Sequence, residues 1–121
     1  MTNSSDEVIK KVKANPATYT EFRNALKIIG DKWSGLILLY LFDQPRRFSD
    51  IEKLIPDINP KTLTQRLRML ESSGLITRQI FKEFPPRTEY ISTQKAHDLR
   101  KALTELKKWA DKYYKESSSN S

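Results

Sequence analysis

The chain contains no cysteine, one histidine, and only 15 acidic residues against 22 lysines and arginines. Without cysteine there is no disulfide, no thiol sensor and no Cys-ligated zinc or iron–sulfur site. His97 has no clustered carboxylates near it in the sequence, so it lacks partners for a metal site, and no serine has a recognisable base. The reading is therefore not an enzyme, with no cofactor and no metal expected. Long apolar runs are also missing. The longest, Leu36-Ile37-Leu38-Leu39-Tyr40-Leu41-Phe42, is too short to span a bilayer and lies mid-chain, so no membrane span and no targeting segment are expected. The cytoplasm is the expected location.

What remains is a small basic chain. Its 121 residues, 37% of them hydrophobic, supply one domain with a modest core. A formal net charge of +7 argues for a polyanionic partner, and the short apolar run favours nucleic acid over a membrane surface. The charge is concentrated. Between Lys61 and Arg87 stand six basic residues, Lys61, Arg66, Arg68, Arg78, Lys82 and Arg87, against Glu71 and Glu83. That segment holds +4 in less than a quarter of the length, the footprint of a nucleic-acid binder.

The same segment has clear punctuation. Asn59 is a strong N-cap, Pro60 suits the first helical position, and Gly74 is a natural residue just past the end. Within that helix Leu63, Leu67 and Leu70 share one stripe, and Lys61, Gln65, Arg68 and Ser72 share the opposite face, flanked by Thr62 and Thr64. A shorter helix precedes it, with Ser49 and Glu52 reading as a capping box and Ile51, Leu54 and Ile55 as its apolar face. Pro56 and Pro60 hold the connection between the two away from helix. Two helices joined by a tight turn match the DNA-binding helix-turn-helix. After Gly74, residues 75–81 and 88–92 are β-branched and aromatic and read as a two-stranded wing, its tip stiffened by Pro85-Pro86 and framed by Lys82 and Arg87.

The rest of the chain frames this unit. Residues 1–17 read as a flexible, partly helical arm. A helix is expected over 18–29, opened by a Thr18-to-Glu21 capping box, ended by Gly30, and striped by Phe22, Ala25, Leu26 and Ile29. Asp31 is expected to cap a buried second helix running through Trp33 to about Phe42, and Arg46-Arg47-Phe48 to add a short third strand. Ser92 or Thr93 opens one long helix to about Tyr114, with Ala96, Leu99, Leu103, Leu106, Ala110 and Tyr113 in a stripe and Trp109 beside it. A domain this small does not easily cover such a helix, so part of the stripe, with the Phe22/Leu26 face, is expected to meet a second subunit. Residues 115–121 read as a disordered serine-rich tail. The fold class is α+β, mostly helical: a winged helix-turn-helix domain over 18–114 with an extra N-terminal helix and a long C-terminal helix at a dimer interface.

Four segments, Ile29-Gly30-Asp31-Lys32-Trp33, Pro45 to Ile51, Thr62 to Leu67 and Glu83 to Tyr90, taken in this order, resemble the HxlR family of bacterial and archaeal transcription regulators. The resemblance runs from about Thr20 to Tyr113. It implies a homodimeric winged helix-turn-helix that binds an operator and represses or activates a nearby gene, with the dimer built from the N-terminal and long C-terminal helices. Many members carry a thiol just before the first helix; the matching position here is Thr20, so any trigger is an unknown small-molecule effector, a partner or abundance.

The DNA-binding candidates are Lys61, Thr62, Thr64, Gln65, Arg66, Arg68, Lys82 and Arg87. Gln65 and Arg68 are assigned to base edges, Lys61, Thr62 and Thr64 to phosphates or mixed roles, and Lys82 and Arg87 to phosphates or the minor groove. Arg66 serves a neighbouring carboxylate as readily as a phosphate, and Arg78 could pair with Glu89 across the hairpin. At best one of Arg46 and Arg47 reaches a phosphate. The dimer candidates are Phe22, Leu26, Leu99, Leu103, Leu106, Trp109 and Tyr113. Trp33 reads as core before pocket, and His97 as exposed. Two other functions fit the same charge: a winged-helix protein-interaction module and a non-specific architectural nucleic-acid binder.

Overall fold

The computed structural model describes residues 5–9 and 19–115. The expectations for the other residues of the 1–17 arm, for Thr18 and for the tail from 116 onward lie outside the described residues. Residues 5–9 are helical. Helix α1, Tyr19–Ile29, ends as the Gly30 N–H donates to the Leu26 carbonyl at 2.7 Å. A β-carbon on Gly30 would collide with that same carbonyl, so the close approach requires glycine.

Asp31 does cap the second helix, with a turn in between. Its Oδ1 accepts from the Trp33 and Ser34 amides at 2.8 and 2.9 Å, its Oδ2 accepts from Ser34 Oγ, and helix α2 runs Ser34–Asp43. This helix is the centre of the domain, as its all-round apolar character predicts. Ile37, Leu38, Leu41 and Phe42 are buried and are joined in one cluster by Ile51, Ile55, Ile58, Leu63, Leu67, Leu70, Leu75, Ile76, Ala96 and Leu103. Trp33 packs half-buried against this cluster, in keeping with a core residue.

Helix α3, Phe48–Leu54, begins earlier than the sequence suggests. The carboxylate that caps it is Asp50, whose Oδ2 accepts from the Arg47 amide at 2.9 Å, so Ser49 and Glu52 are not the box. With Phe48 already helical, no length remains for a third strand. Only a single bridge forms, Arg46 to Tyr90, and the sheet has two strands. Helix α4, Pro60–Ser72, matches the reading: Asn59 Oδ1 accepts from the Thr62 amide at 2.8 Å, and Gly74 takes a φ of 77°, the left-handed conformation glycine permits.

Strands β1, Ile76–Phe81, and β2, Arg87–Ser92, pair antiparallel from Ile76 opposite Ser92 to Phe81 opposite Arg87. They pack by way of β1 on α4 and by way of β2 on α2 and α3. The expected single C-terminal helix is two: α5, Gln94–His97, and α6, Arg100–Tyr114. Thr93 caps α5 by accepting from the Ala96 amide, and the Leu99 amide reaches back only to Ala96, a tighter turn that separates the two helices. This turn also moves His97 inward. It is half-buried, its Nε2 lies 2.9 Å from Ser92 Oγ, and its ring centroid is 5.2 Å from that of Phe42, so it is not exposed.

Candidate nucleic-acid interface

Three leucines fix the orientation of α4. Leu63, Leu67 and Leu70 are sealed in the core, each worth about 1.5–3 kcal/mol of burial, and this turns the opposite face outward. Lys61, Gln65 and Arg68 stand exposed on that face, and among the described residues none has a hydrogen-bond or ion-pair partner for its side chain. Thr62 and Thr64 are half-buried on its flanks. Thr64 Oγ1 donates to the Pro60 carbonyl at 2.9 Å and keeps its lone pairs for an incoming donor. Ser72, at the far end of the face, donates to Met69 O.

Four neighbouring arginines, Arg46, Arg66, Arg78 and Arg87, are engaged within the chain. Arg66 Nη1 lies 3.5 Å from Asp31 Oδ2, so it anchors a neighbouring carboxylate, one of its two expected roles. Burial raises the pKa of that carboxyl, but the Ser34 hydroxyl, the Trp33 and Ser34 amides and the Arg66 guanidinium outweigh burial and hold it below its ordinary value. Arg78 pairs with Glu71 Oε2 at 2.8 Å, not with Glu89. The register explains the difference. Arg78 stands opposite Tyr90, so Glu89 points to the other face of the hairpin. On that other face Arg87 meets Glu89 at 3.3 Å and Glu83 at 3.1 Å, with its guanidinium 4.1 Å from the Phe81 ring centroid. Arg87 is thus neutralised in place, while Lys82 is exposed with no partner among the described residues. Arg46 is tied to Asp43 at 2.8 Å and to the Tyr40 carbonyl, leaving Arg47 as the exposed member of that pair.

Two features were missed by sequence reasoning. A cleft of about 160 Å³ between α4 and the hairpin is lined by Thr64, Arg68, Glu71, Arg78 and Tyr90, so helix and wing share one surface. Phe84, at the wing tip beside Lys82, is wholly in solvent. Its signal was an aromatic residue in a Pro-rich loop with no apolar neighbour to pack on. On other elements, Phe22 and Leu26 of α1 and Leu106, Trp109 and Tyr113 of α6 are exposed. Of the other dimer candidates, Leu103 is taken up by the core and Leu99 packs half-buried against it. Among the described residues no group of three or more His, Asp or Glu could hold a metal, and no helix is long and apolar enough to cross a membrane.

Residues 28–118 match the family described as HxlR-like helix-turn-helix. The chain belongs to that family. Among its relatives, the HTH-type transcriptional regulator YkvN of Bacillus subtilis is 42% identical over 92 residues, 76% of this chain and 78% of YkvN. The reduced form of the transcriptional regulator YodB from B. subtilis superposes with a TM-score of 0.70 at 35% identity, covering 78% of this chain and 93% of YodB. The redox regulator HypR in its oxidized form gives a TM-score of 0.74 at 29% identity, covering 76% and 95%. This HxlR-like chain is a helix-turn-helix transcriptional regulator of mostly helical fold with a small two-stranded sheet, and α3, α4 and the β1–β2 hairpin are its helix-turn-helix and wing.

Proposed function

We propose that this regulator acts as a homodimer on a pseudo-palindromic operator in chromosomal DNA of the cytoplasm. Helix α4 lies in the major groove, with Gln65 and Arg68 on base edges and Lys61, Thr62 and Thr64 on phosphates or mixed contacts. The wing runs along the backbone or minor groove with Lys82 and Phe84 foremost. The observation that carries this reading is the sorting of the cations: Arg66, Arg78 and Arg87 each hold a carboxylate, whereas Lys61, Arg68 and Lys82, on α4 and at the wing tip, hold none among the described residues. Exposed cations on one surface of a chain of net charge +7 suit phosphates. The exposed apolar residues of α1 and α6 support a second copy of the chain packed on them, with two α4 helices about one helical turn of DNA apart. Having no cysteine, the chain does not sense by thiol chemistry, unlike the redox regulator HypR.

The test is a titration of the purified protein against DNA upstream of its own gene and against scrambled duplex, at two salt concentrations, with mass by light scattering on the same sample. Dimeric binding that prefers the native fragment at the higher salt is expected. Gln65→Ala should cost about 1–3 kcal/mol on the operator and relax base preference at one position per half-site. Equal binding of both duplexes would overturn specificity in favour of an architectural binder. No binding at either salt would replace the reading with a protein-interaction module.

A further inference from the structure

An open, almost wholly apolar groove of about 270 Å³ lies between α1 and the segment that follows the recognition helix. Ile28 and Ile29 form one wall, and Leu75 and Leu99 the other. Two charged residues, Lys95 and Asp98, stand at its rim and make no ion pair with each other. Asp98 accepts from Gln94 Nε2 at 3.0 Å. Lys95 Nζ donates to the Ser73 carbonyl at 2.7 Å, and an ammonium has two further donors to give.

We infer that this groove binds a small apolar acid, an aromatic or aliphatic body with one carboxylate, the body lying on Ile28, Ile29, Leu75 and Leu99 and the carboxylate on Lys95. The size is near the lower end for small-molecule sites. The net charge of +7 favours an anion over a cation, and Asp98 repels the carboxylate toward Lys95. The acid has a route to α4. The Ser73 carbonyl stands at the end of the recognition helix, where carbonyls lack a partner within the helix, and Lys95 supplies one from outside it. A carboxylate that draws Lys95 away leaves the turn held by Thr93, whose Oγ1 donates to Gly74 O at 2.7 Å and whose amide donates to Leu75 O. The helix end is then loosened, not melted. The effect on DNA rests on the reading above; the site itself does not.

The experiment follows backbone amide NMR shifts of the full chain on titration with 1-naphthoate and, separately, with 1-naphthalenemethanol, which has the same rings without the charge. Both should shift Ile28, Ile29, Leu75 and Leu99, and only the acid should shift Ser73, Gly74 and Lys95. Lys95→Gln should weaken the acid about tenfold and leave the alcohol unchanged, with Lys95→Arg restoring the acid. Ala25→Trp, which plugs the groove, should abolish both in a chain whose spectrum stays dispersed. Shifts confined to Phe22, Leu106 and Trp109, equal affinity of Lys95→Gln for the acid, or groove amides that move with protein concentration alone would overturn the site, the last because a second copy fills it. Acid binding that leaves operator affinity untouched in a chain that binds its operator would overturn the coupling.

Discussion

On α4 the leucines at positions 63, 67 and 70 are 0, 2 and 0% exposed, while on α6 Leu103 is 6% exposed but Leu106, Trp109 and Tyr113 are 57, 51 and 61% exposed. The two helices carry the same kind of periodic stripe. Only α4 has its stripe covered along its whole length by the chain's own elements, chiefly β1 and the core built on α2. Helix α6 touches that core near Leu103 and then carries its aromatic residues into the open, where the Trp109 ring meets those of its neighbours Tyr113 and Tyr114 at 5.6 and 5.5 Å. A stripe therefore announces that a face is to be buried without saying by what. On the proposed reading, one stripe holds a polar face outward for DNA, and the other is itself the surface offered to a second copy.

The largest effect separates the two stripes by stability. Leu67→Ala should destabilise the fold by about 2–5 kcal/mol, because it leaves a cavity in a sealed core. Leu106→Ala should change it by no more than about 0.5 kcal/mol when unfolding is followed by urea denaturation at a concentration low enough for monomer. Comparable losses at the two positions under that condition would erase the distinction.

Association reverses the ranking. Trp109→Glu puts a charge in the middle of the exposed α6 patch and should cost about 2 kcal/mol or more in dimerisation, roughly a thirtyfold weaker constant, with unchanged circular dichroism. The expected readout is a light-scattering mass that falls to that of one chain, along with the higher-affinity phase of operator binding. A variant that keeps the wild-type mass would show that this patch is not where a second copy sits.

How legible these elements were depended on how local their determinants are. Asn59, Pro60 and Gly74 are adjacent to the helix they bound, and α4 begins and ends where they stand. The capping box of α3 was misread because two acidic residues, Asp50 and Glu52, each lie three positions beyond a plausible cap, and only burial of this segment against the core selects Asp50. The break between α5 and α6 likewise left no mark in the periodicity, since Asp98 and Leu99 stay right-handed and the stripe continues through them. In the candidate interface, the polar face of α4 was readable from spacing, but which cations are free was not. Arg66, Arg78 and Arg87 are spent on Asp31, Glu71 and the Glu83/Glu89 pair, and those encounters are set by tertiary packing and strand register.

Asp31 ties the turn after α1 to α4, capping the start of α2 and bracing α4 through Arg66. Its folded pKa lies below the ordinary 3.8, so its charged form is stabilised by folding. The contribution is complete above the ordinary value and disappears as pH falls through the lower, folded value. Asp31→Asn should lower stability by about 1 kcal/mol at neutral pH, and the two unfolding curves should converge in acid below the ordinary carboxylate range. A constant difference across that range would mean that the carboxylate charge plays no part.

The smallest effect discriminates between the two cations of the wing. Lys82 is unpartnered among the described residues, so Lys82→Ala should flatten the plot of log affinity against log salt by about one unit and weaken all duplexes alike. Arg87 already faces Glu83 and Glu89 and covers the Phe81 ring, so it releases no counterion from DNA. Arg87→Ala should leave the slope unchanged and appear instead as a loss of hairpin stability of about 1 kcal/mol, as two carboxylates lose their shared partner. The contrast holds only if the two variants part company on the salt plot. Equal flattening would mean that Arg87 exchanges its glutamates for phosphate on binding, and the hairpin would then count two cations toward DNA where the free protein shows one.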